Sequence, residues 1–346
     1  IFNADFKPEL ALAGVYESSQ AASPTFSAFS RALATDWVTR YGLAGKRIIE
    51  VGCGHADFMV DLLRAGVADT IGIDPLTKPE EIPPEFKDRI TIDRAEFAPE
   101  HTLLPAAALV CRHTLEHIPD VAGFLGLVAD WARRNPASPI LIEVPGTERI
   151  LAEGAFWDIF YEHCNYFTLN TLSEAFVRAG LAVESCELVY SGQYLLLVAR
   201  APEQARELGL AITRAEHEAA VAEAIRFGGT IRNSVARCRA AIEAMDREEG
   251  PVVVWQGAAK CIGFHTALGR DIPIACAVDL NVARHGKFLP PFGLAVRAPA
   301  ELAQLRPSDV VLLNPMYANE VRADLDRFGL MQTRLHSVNE LCVRSR

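Results

Sequence analysis

Ile48-Ile49-Glu50-Val51-Gly52-Cys53-Gly54-His55-Ala56-Asp57 joins a short apolar run to a two-glycine turn and the opening of an amphipathic stretch. The pattern predicts a strand over 47–51 and a helix from the turn through Leu63. Gly52 and Gly54 let backbone approach a ligand closely, where a Cβ would collide. The first N–H groups of the helix have no partner within it and are available to that ligand. A dinucleotide site would set a pyrophosphate there and carry a third glycine in a G-x-G-x-x-G pattern. The third position here is Asp57, a carboxylate that repels phosphate at close range. Glu50, Gly52, Gly54 and Asp57 therefore make an acidic turn suited to a ligand with a cationic or zwitterionic end.

Downstream, Asp74 closes a second strand over 70–73 and lies 22 residues after Gly52. A carboxylate at that point can accept both hydroxyls of a ribose. A third strand over 90–93 leads into Arg94-Ala95-Glu96-Phe97, where Ala95 and Glu96 are candidates to flank an adenine. S-adenosylmethionine has a sulfonium, an α-ammonium, a carboxylate and a ribose but no phosphate. It is the expected cofactor, with S-adenosylhomocysteine as product. A plain strand-to-helix turn would account for the glycines alone, and an NAD or FAD site would not account for Asp57.

The alternation continues with a strand over 107–112, a helix over 121–134 and a strand over 139–144. Thr171-Leu172-Ser173-Glu174 reads as a capping box opening a helix that ends at Gly180. Strands over 182–190 and 193–199 flank Ser191-Gly192 as a hairpin. Upstream, Ser23-Pro24 reads as a helix start, with Phe26, Phe29, Leu33 and Trp37 at spacings of three and four. This is the pattern of an α/β protein, a doubly wound Rossmann-like sheet. Residues 203–247 are rich in Ala, Glu and Arg and predict helices interrupted near Gly228-Gly229. A second, smaller α/β unit then has a strand over 252–255, the turn Gln256-Gly257-Ala258, a helix to Leu268, and strands over 274–278 and 310–313. The expected division is an extension at 1–22, a cofactor-binding domain at 23–201, bridging helices at 202–250 and a Rossmann-like substrate-binding domain at 251–346.

Composition sets further bounds. The net charge of −10 without a long basic run argues against a nucleic-acid surface. No stretch reaches the roughly 20 apolar residues of a membrane span. The eight cysteines form no CxxC pair, which reads as reduced thiols of a cytoplasmic protein and gives no metal site. The oligomeric state is left open.

Ligands of open α/β sheets bind beyond the carboxyl ends of the strands. Arg112 and His113, at the end of the fourth strand, are thereby placed near the transferable methyl. His113 to His117 spells H-x-x-E-H, a zinc-protease pattern. It starts at a strand end rather than within a long helix, so His117 reads as a structural residue. A second cluster spans residues 156–167 and contains Phe160, Tyr161, Glu162 and His163. Its aromatics can exclude water, and Glu162 with His163 can form an acid–base pair. The alternative is core aromatics with a local salt bridge.

At these residues the chain resembles the nucleotide-sugar C-methyltransferases of deoxysugar biosynthesis, over nearly its whole length. The resemblance lies in Phe2-Asn3 with Tyr16-Glu17-Ser18-Ser19-Gln20 and Ser23-Pro24, and in 50–57 with 112–119. It lies also in Gly257-Ala258-Ala259-Lys260, Val278-Asp279-Leu280-Asn281 and Gly286-Lys287-Phe288-Leu289-Pro290. It implies a class I methyltransferase fold, methyl transfer to carbon beside a sugar ketone, and substrate contacts from the C-terminal domain. The family's catalytic segment is Tyr-x-Glu-His. Glu162 and His163 match it, but Phe160 stands at the tyrosine position and Tyr161 comes one step later. The family's N-terminal zinc module would end where this chain begins, so it is expected to be absent or trimmed. In that chemistry His163 removes a proton α to a carbonyl, Glu162 orients it, and Tyr16 or His113 binds the enolate oxygen. Gly257 and Lys260 can cradle a nucleotide diphosphate, with Asn281 or Lys287 reaching the sugar. The plainer alternative is an ordinary turn and a solvated lysine. The acceptor is thus a small molecule, expected to be a nucleotide-linked keto sugar. Another small metabolite methylated at O, N or C is the alternative, and a non-catalytic cofactor-binding protein is a third class.

Overall fold

A computed structural model describes residues 1–11, 19–159, 161–202, 213–245 and 248–342. Its chain forms two compact units. One comprises Ile1–Ala21, Phe26–Glu148 and Tyr161–Glu218; the other comprises Ala22–Thr25, Arg149–Phe160 and Ala219–Arg346.

The first unit is built on a seven-stranded sheet. Its strands are β1 (Arg47–Val51), β2 (Asp69–Ile73), β3 (Ile90–Asp93), β4 (Ala108–Arg112), β5 (Ile140–Pro145), β6 (Ala182–Val189) and β7 (Tyr194–Arg200). Their order is β3-β2-β1-β4-β5-β7-β6. The first five run parallel, and β7 lies antiparallel between β5 and β6. The helices are α1 (Pro24–Arg40), α2 (Asp57–Arg64), α3 (Val121–Arg134), α4 (Thr147–Glu153), most of which belongs to the other unit, and α5 (Leu169–Arg178). Side chains alternate across the pleat, so each central strand feeds two cores. Ile48 packs with Leu33, Trp37, Phe58, Met59 and Leu62 on the face covered by α1 and α2. Ile49 and Val51 pack with Phe124, Val128, Trp131, Leu172 and Phe176 under α3 and α5. The result is a three-layer sandwich whose parallel strands all end on one edge, beside the Gly52–Gly54 turn.

Two local expectations need correction. The capping box of α5 begins at Thr168, not at Thr171. The Thr168 amide donates to Thr171 Oγ1 at 2.8 Å, and the Thr171 amide to Thr168 Oγ1 at 3.3 Å. A threonine hydroxyl at the third position can accept as Glu or Gln would, which the [ST]-x-x-[EQ] pattern overlooks. The expected break at Gly228-Gly229 is also absent: α6 runs unbroken over Arg214–Glu243. Neither glycine has a positive φ, and a helix interior tolerates glycine at about 1 kcal/mol each when its flanks are good helix formers.

The second unit has its own six-stranded sheet, in the order β10-β11-β9-β8-β12-β13. Its strands are β8 (Val252–Trp255), β9 (Cys276–Val278), β10 (Phe288–Leu289), β11 (Leu294–Arg297), β12 (Asp309–Leu312) and β13 (Arg334–Ser337). Helices α7 (Ala259–Leu268), α8 (Leu302–Leu305), α9 (Ala318–Arg327) and α10 (Val338–Cys342) complete it. Val253, Trp255, Val278, Val310 and Leu312 pack with Tyr317, Val321 and Leu325 in its core. Among the described residues no helix is long and apolar enough to cross a membrane.

Candidate functional site

The turn after β1 is held in a conformation that needs its glycines. Gly52 has φ +72°, and a Cβ there would stand 2.0 Å from Thr114 Oγ1, so Ala cannot fit. Gly54 has φ +52° and no heavy atom within 4 Å of where a Cβ would sit. One glycine is thus required by packing, while the other faces open space. Asp74 staples the turn: its Oδ2 accepts from the Gly54 amide at 2.9 Å and its Oδ1 from the Leu76 amide at 2.7 Å. Each oxygen keeps lone-pair capacity for a further donor. Asp57 is the first residue of α2, where a carboxylate complements the helix dipole, and its Oδ2 accepts from Ser19 Oγ at 2.8 Å. Ala95, half-buried, and Glu96, exposed, follow β3 on the same strand edge.

Beneath this edge lies a charge cluster on β1, β4 and β5. Glu143 is fully buried and opposite Arg112 in the ladder. Arg112 Nε donates to Glu143 Oε2 at 2.6 Å, and the guanidinium lies 4.0 Å from the centre of the Phe58 ring. His113, at φ +49° and about a quarter exposed (24%), brings Nε2 to 3.0 Å from Glu143 Oε1. That pair is close without hydrogen-bond alignment, so its attraction is mainly Coulombic. Burial alone would raise the Glu143 carboxyl, but Arg112 and His113 hold it at about 2. Burial would lower His113, yet Glu143 and Glu116 lift it to about 9. Glu50 is different: burial raises it to about 8, against the pull of Arg112. Glu50 Oε2 and Arg112 Nη2 are buried with no hydrogen-bond partner.

Those two unsatisfied atoms, of opposite charge type, suit a zwitterion. Together with open space over Gly54 and a strand-end carboxylate at Asp74, the residues present fit S-adenosylmethionine.

The segment after α4 carries the second cluster. His163 lies with its ring centre 4.8 Å from that of His117 and 6.1 Å from that of Tyr166. His117 Nδ1 donates to the Glu162 carbonyl at 2.8 Å. Tyr161 turns away: its hydroxyl accepts from the Lys7 amide at 2.8 Å, and its ring packs 5.3 Å from Phe6. Tyr16 and Phe160 lie outside the described residues.

In the second unit, Asp279 ends β9 and gathers the turn after β8. Its Oδ2 accepts from the Gly257 amide and from Arg284, and its Oδ1 from the Asn281 amide. Gly257 is needed for packing, since a Cβ would meet Val296 at 2.8 Å. Asn281 caps the turn Val282–Arg284 through Ala283, and Lys287 is exposed. Lys260 is not solvated: its ammonium pairs with the buried Asp158, which Arg149 also holds. Burial would raise the Asp158 carboxyl, but these two cations keep it below the usual range.

Sequence reasoning passed over Glu143, Glu116 and the role of Asp279. A carboxylate inside the apolar run Ile140-Leu141-Ile142-Glu143-Val144 was itself a signal, because a charge on a central strand must be paired. Asp279 stands 22 residues after Gly257, the same interval as Gly52 to Asp74.

The strand order, the glycine turn and the strand-end acid define an S-adenosylmethionine-dependent methyltransferase of the class I fold. More particularly it is a C-methyltransferase: residues 26–186 match the methyltransferase domain family and residues 192–335 match the C-methyltransferase C-terminal domain family. The chain is 26% identical over 304 residues to C-methyltransferase NovU of Streptomyces niveus, covering 82% of this chain and 70% of that protein. Among solved structures it is similar to magnesium protoporphyrin IX methyltransferase (ChlM) from Synechocystis PCC 6803 with bound SAM, at 12% identity and TM-score 0.38, over 51% of this chain and 80% of that one. It is similar also to the glycopeptide N-methyltransferase MtfA complexed with sinefungin, at 13% identity and TM-score 0.38, over 50% of this chain and 94% of that one.

Proposed function

We propose that this chain methylates a carbon beside the ketone of a nucleotide-linked sugar, with His163 as the base. The observation that carries the assignment is the placement of His163 beside His117, on the segment that follows the carboxyl end of β5. The bound cofactor supplies an electrophilic methyl on sulfonium. Gly54 leaves room for it, Asp74 accepts its ribose hydroxyls, and Ala95 and Glu96 border its adenine. Arg112 Nη2 meets its carboxylate and Glu50 its ammonium. His163 takes a proton from the carbon α to the ketone, and that carbon then bonds the methyl group as the methyl–sulfur bond breaks and its electron pair stays on the departing S-adenosylhomocysteine. His113, held as a cation at neutral pH, places positive potential near the developing enolate. Gly257 and Lys260 are already engaged with Asp279 and Asp158.

The turnover test is direct. His163→Ala is expected to lose methyl transfer and α-carbon deuterium exchange together by about 10²- to 10⁴-fold, with S-adenosylhomocysteine affinity unchanged. Full turnover in that variant would overturn the assignment. The acceptor is checked with labelled cofactor and a panel of nucleotide-linked keto sugars. One observation favours another small-metabolite acceptor: the Tyr161 hydroxyl is occupied by Lys7, so it does not replace the family tyrosine. The eight cysteines, none in a disulfide, support a reducing, cytoplasmic setting.

A pH effect follows from Glu50. An ammonium beside it favours its ionised form, so cofactor binding expels its proton. Between the ordinary 4.5 and about 8, binding is expected to release up to one proton and to tighten as pH rises. Calorimetry in buffers of different ionisation enthalpy measures this, and Glu50→Gln should abolish the release.

A further inference from the structure

Glu116, His117 and His163 bring one carboxylate oxygen and two ring nitrogens within 4.8 Å of one another. We propose that these three residues bind a divalent cation of the zinc class and leave one coordination position open. The H-x-x-E-H spacing is misleading about the ligands. The fold sets Glu116 and His117 in the short turn Leu115–His117 and takes the third donor from His163, 46 residues further on.

Three features support a ligand set rather than a chance grouping. Glu116 is only 2% exposed, and neither of its carboxylate oxygens has a hydrogen-bond partner. Its near cation is His113, whose Nδ1 stands 3.7 Å from Oε1, too far for a hydrogen bond. A buried carboxylate in that state is unfavourable until a cation meets it. His117 donates its Nδ1 proton to the Glu162 carbonyl, which fixes the tautomer whose Nε2 carries the lone pair. The two imidazoles meet at 82°, edge against face, so rotation rather than unstacking brings their nitrogens together. Donors on a tetrahedral zinc sit at about 2.0–2.2 Å from the metal and roughly 3.4 Å from one another, so closure takes shifts of roughly 1 Å. Two imidazoles and one carboxylate with an open position favour zinc, nickel or cobalt over magnesium or calcium.

A cation there would hold the lone pair that His163 needs as a base. Metal and proton would compete for one nitrogen, and zinc would inhibit methyl transfer. That consequence rests on the assignment of His163; the site itself does not.

The test uses the full chain stripped with EDTA and titrated with Zn²⁺ by calorimetry and with Co²⁺ by visible absorption. One ion per chain is expected, with Co²⁺ d–d bands and no response to Mg²⁺. Glu116→Gln and His117→Gln should each weaken binding about tenfold or more while S-adenosylhomocysteine still binds, which shows the fold intact. If Glu116→Gln does not fold, His163→Gln at a half-buried position carries the same test. No Zn²⁺ binding by the wild type, or binding unchanged in the folded variants, overturns the site. Loss of turnover in His163→Gln with metal affinity intact would uphold the base and overturn the cation site. Loss of metal binding with metal-free turnover intact would do the reverse.

Discussion

Asp74→Ala is expected to reduce S-adenosylhomocysteine affinity by about 10²- to 10⁴-fold. Two charge-assisted hydrogen bonds to ribose hydroxyls are worth roughly 1.5–3 kcal/mol each, and each 1.4 kcal/mol is tenfold in affinity. The variant also loses the ties to the Gly54 and Leu76 amides. Those ties sit at the surface of a turn whose fold is set by β1, α2 and the Gly52–Thr114 contact, so the chain should remain folded. Calorimetry with S-adenosylhomocysteine and a thermal melt on the same sample separate affinity from stability. An unchanged dissociation constant would remove Asp74 from the site.

Glu143→Gln should have the largest effect on stability. It leaves Arg112 buried and His113 partly buried without their counter-charge, and breaking one side of a buried ion pair costs about 3–5 kcal/mol. Urea denaturation measures the loss, and Glu143→Leu combined with Arg112→Met should recover much of it. The wild type carries the matching pH signature. His113 is raised from 6.5 to about 9, so its contribution is full below 6.5 and fades as pH climbs through 9. Glu143 is lowered from 4.5 to about 2, so its contribution is full above 4.5 and fades as pH falls towards 2. Between these limits both of those contributions are full, while Glu50, raised by burial from 4.5 to about 8, opposes them increasingly as pH climbs above 4.5. A stability profile flat to pH 10 would contradict the His113 assignment.

The cofactor edge was largely legible because its chemistry is local. Strand, glycine turn, helix and terminal acid follow one another in sequence, and β1, β3, α2 and α3 fall within one residue of where apolar periodicity puts them. The charge cluster was not legible as a cluster. Glu50, Arg112 and Glu143 become neighbours only through the order of β1, β4 and β5 in the sheet, which is a non-local fact. The pairing of Lys260 with Asp158 escaped notice for the same reason, at a separation of 102 residues. Strands β10, β11 and β13 were missed because each is only two to four residues long, too short for periodicity to register. In α6 a true signal was over-weighted: two glycines lower helix propensity but do not forbid a helix.

Asp74 is immobilised by two backbone amides without any help from a ligand. The entropy of orienting that carboxylate is therefore lost when the turn folds, and an incoming ribose meets an acceptor already aimed. Recognition is tied in this way to the local order of a few residues rather than to the stability of the whole sheet. Gentle heating or mild denaturant that frees the Gly54 and Leu76 amides should erase affinity while the seven strands still stand. Faster hydrogen exchange at those two amides would give the earliest sign.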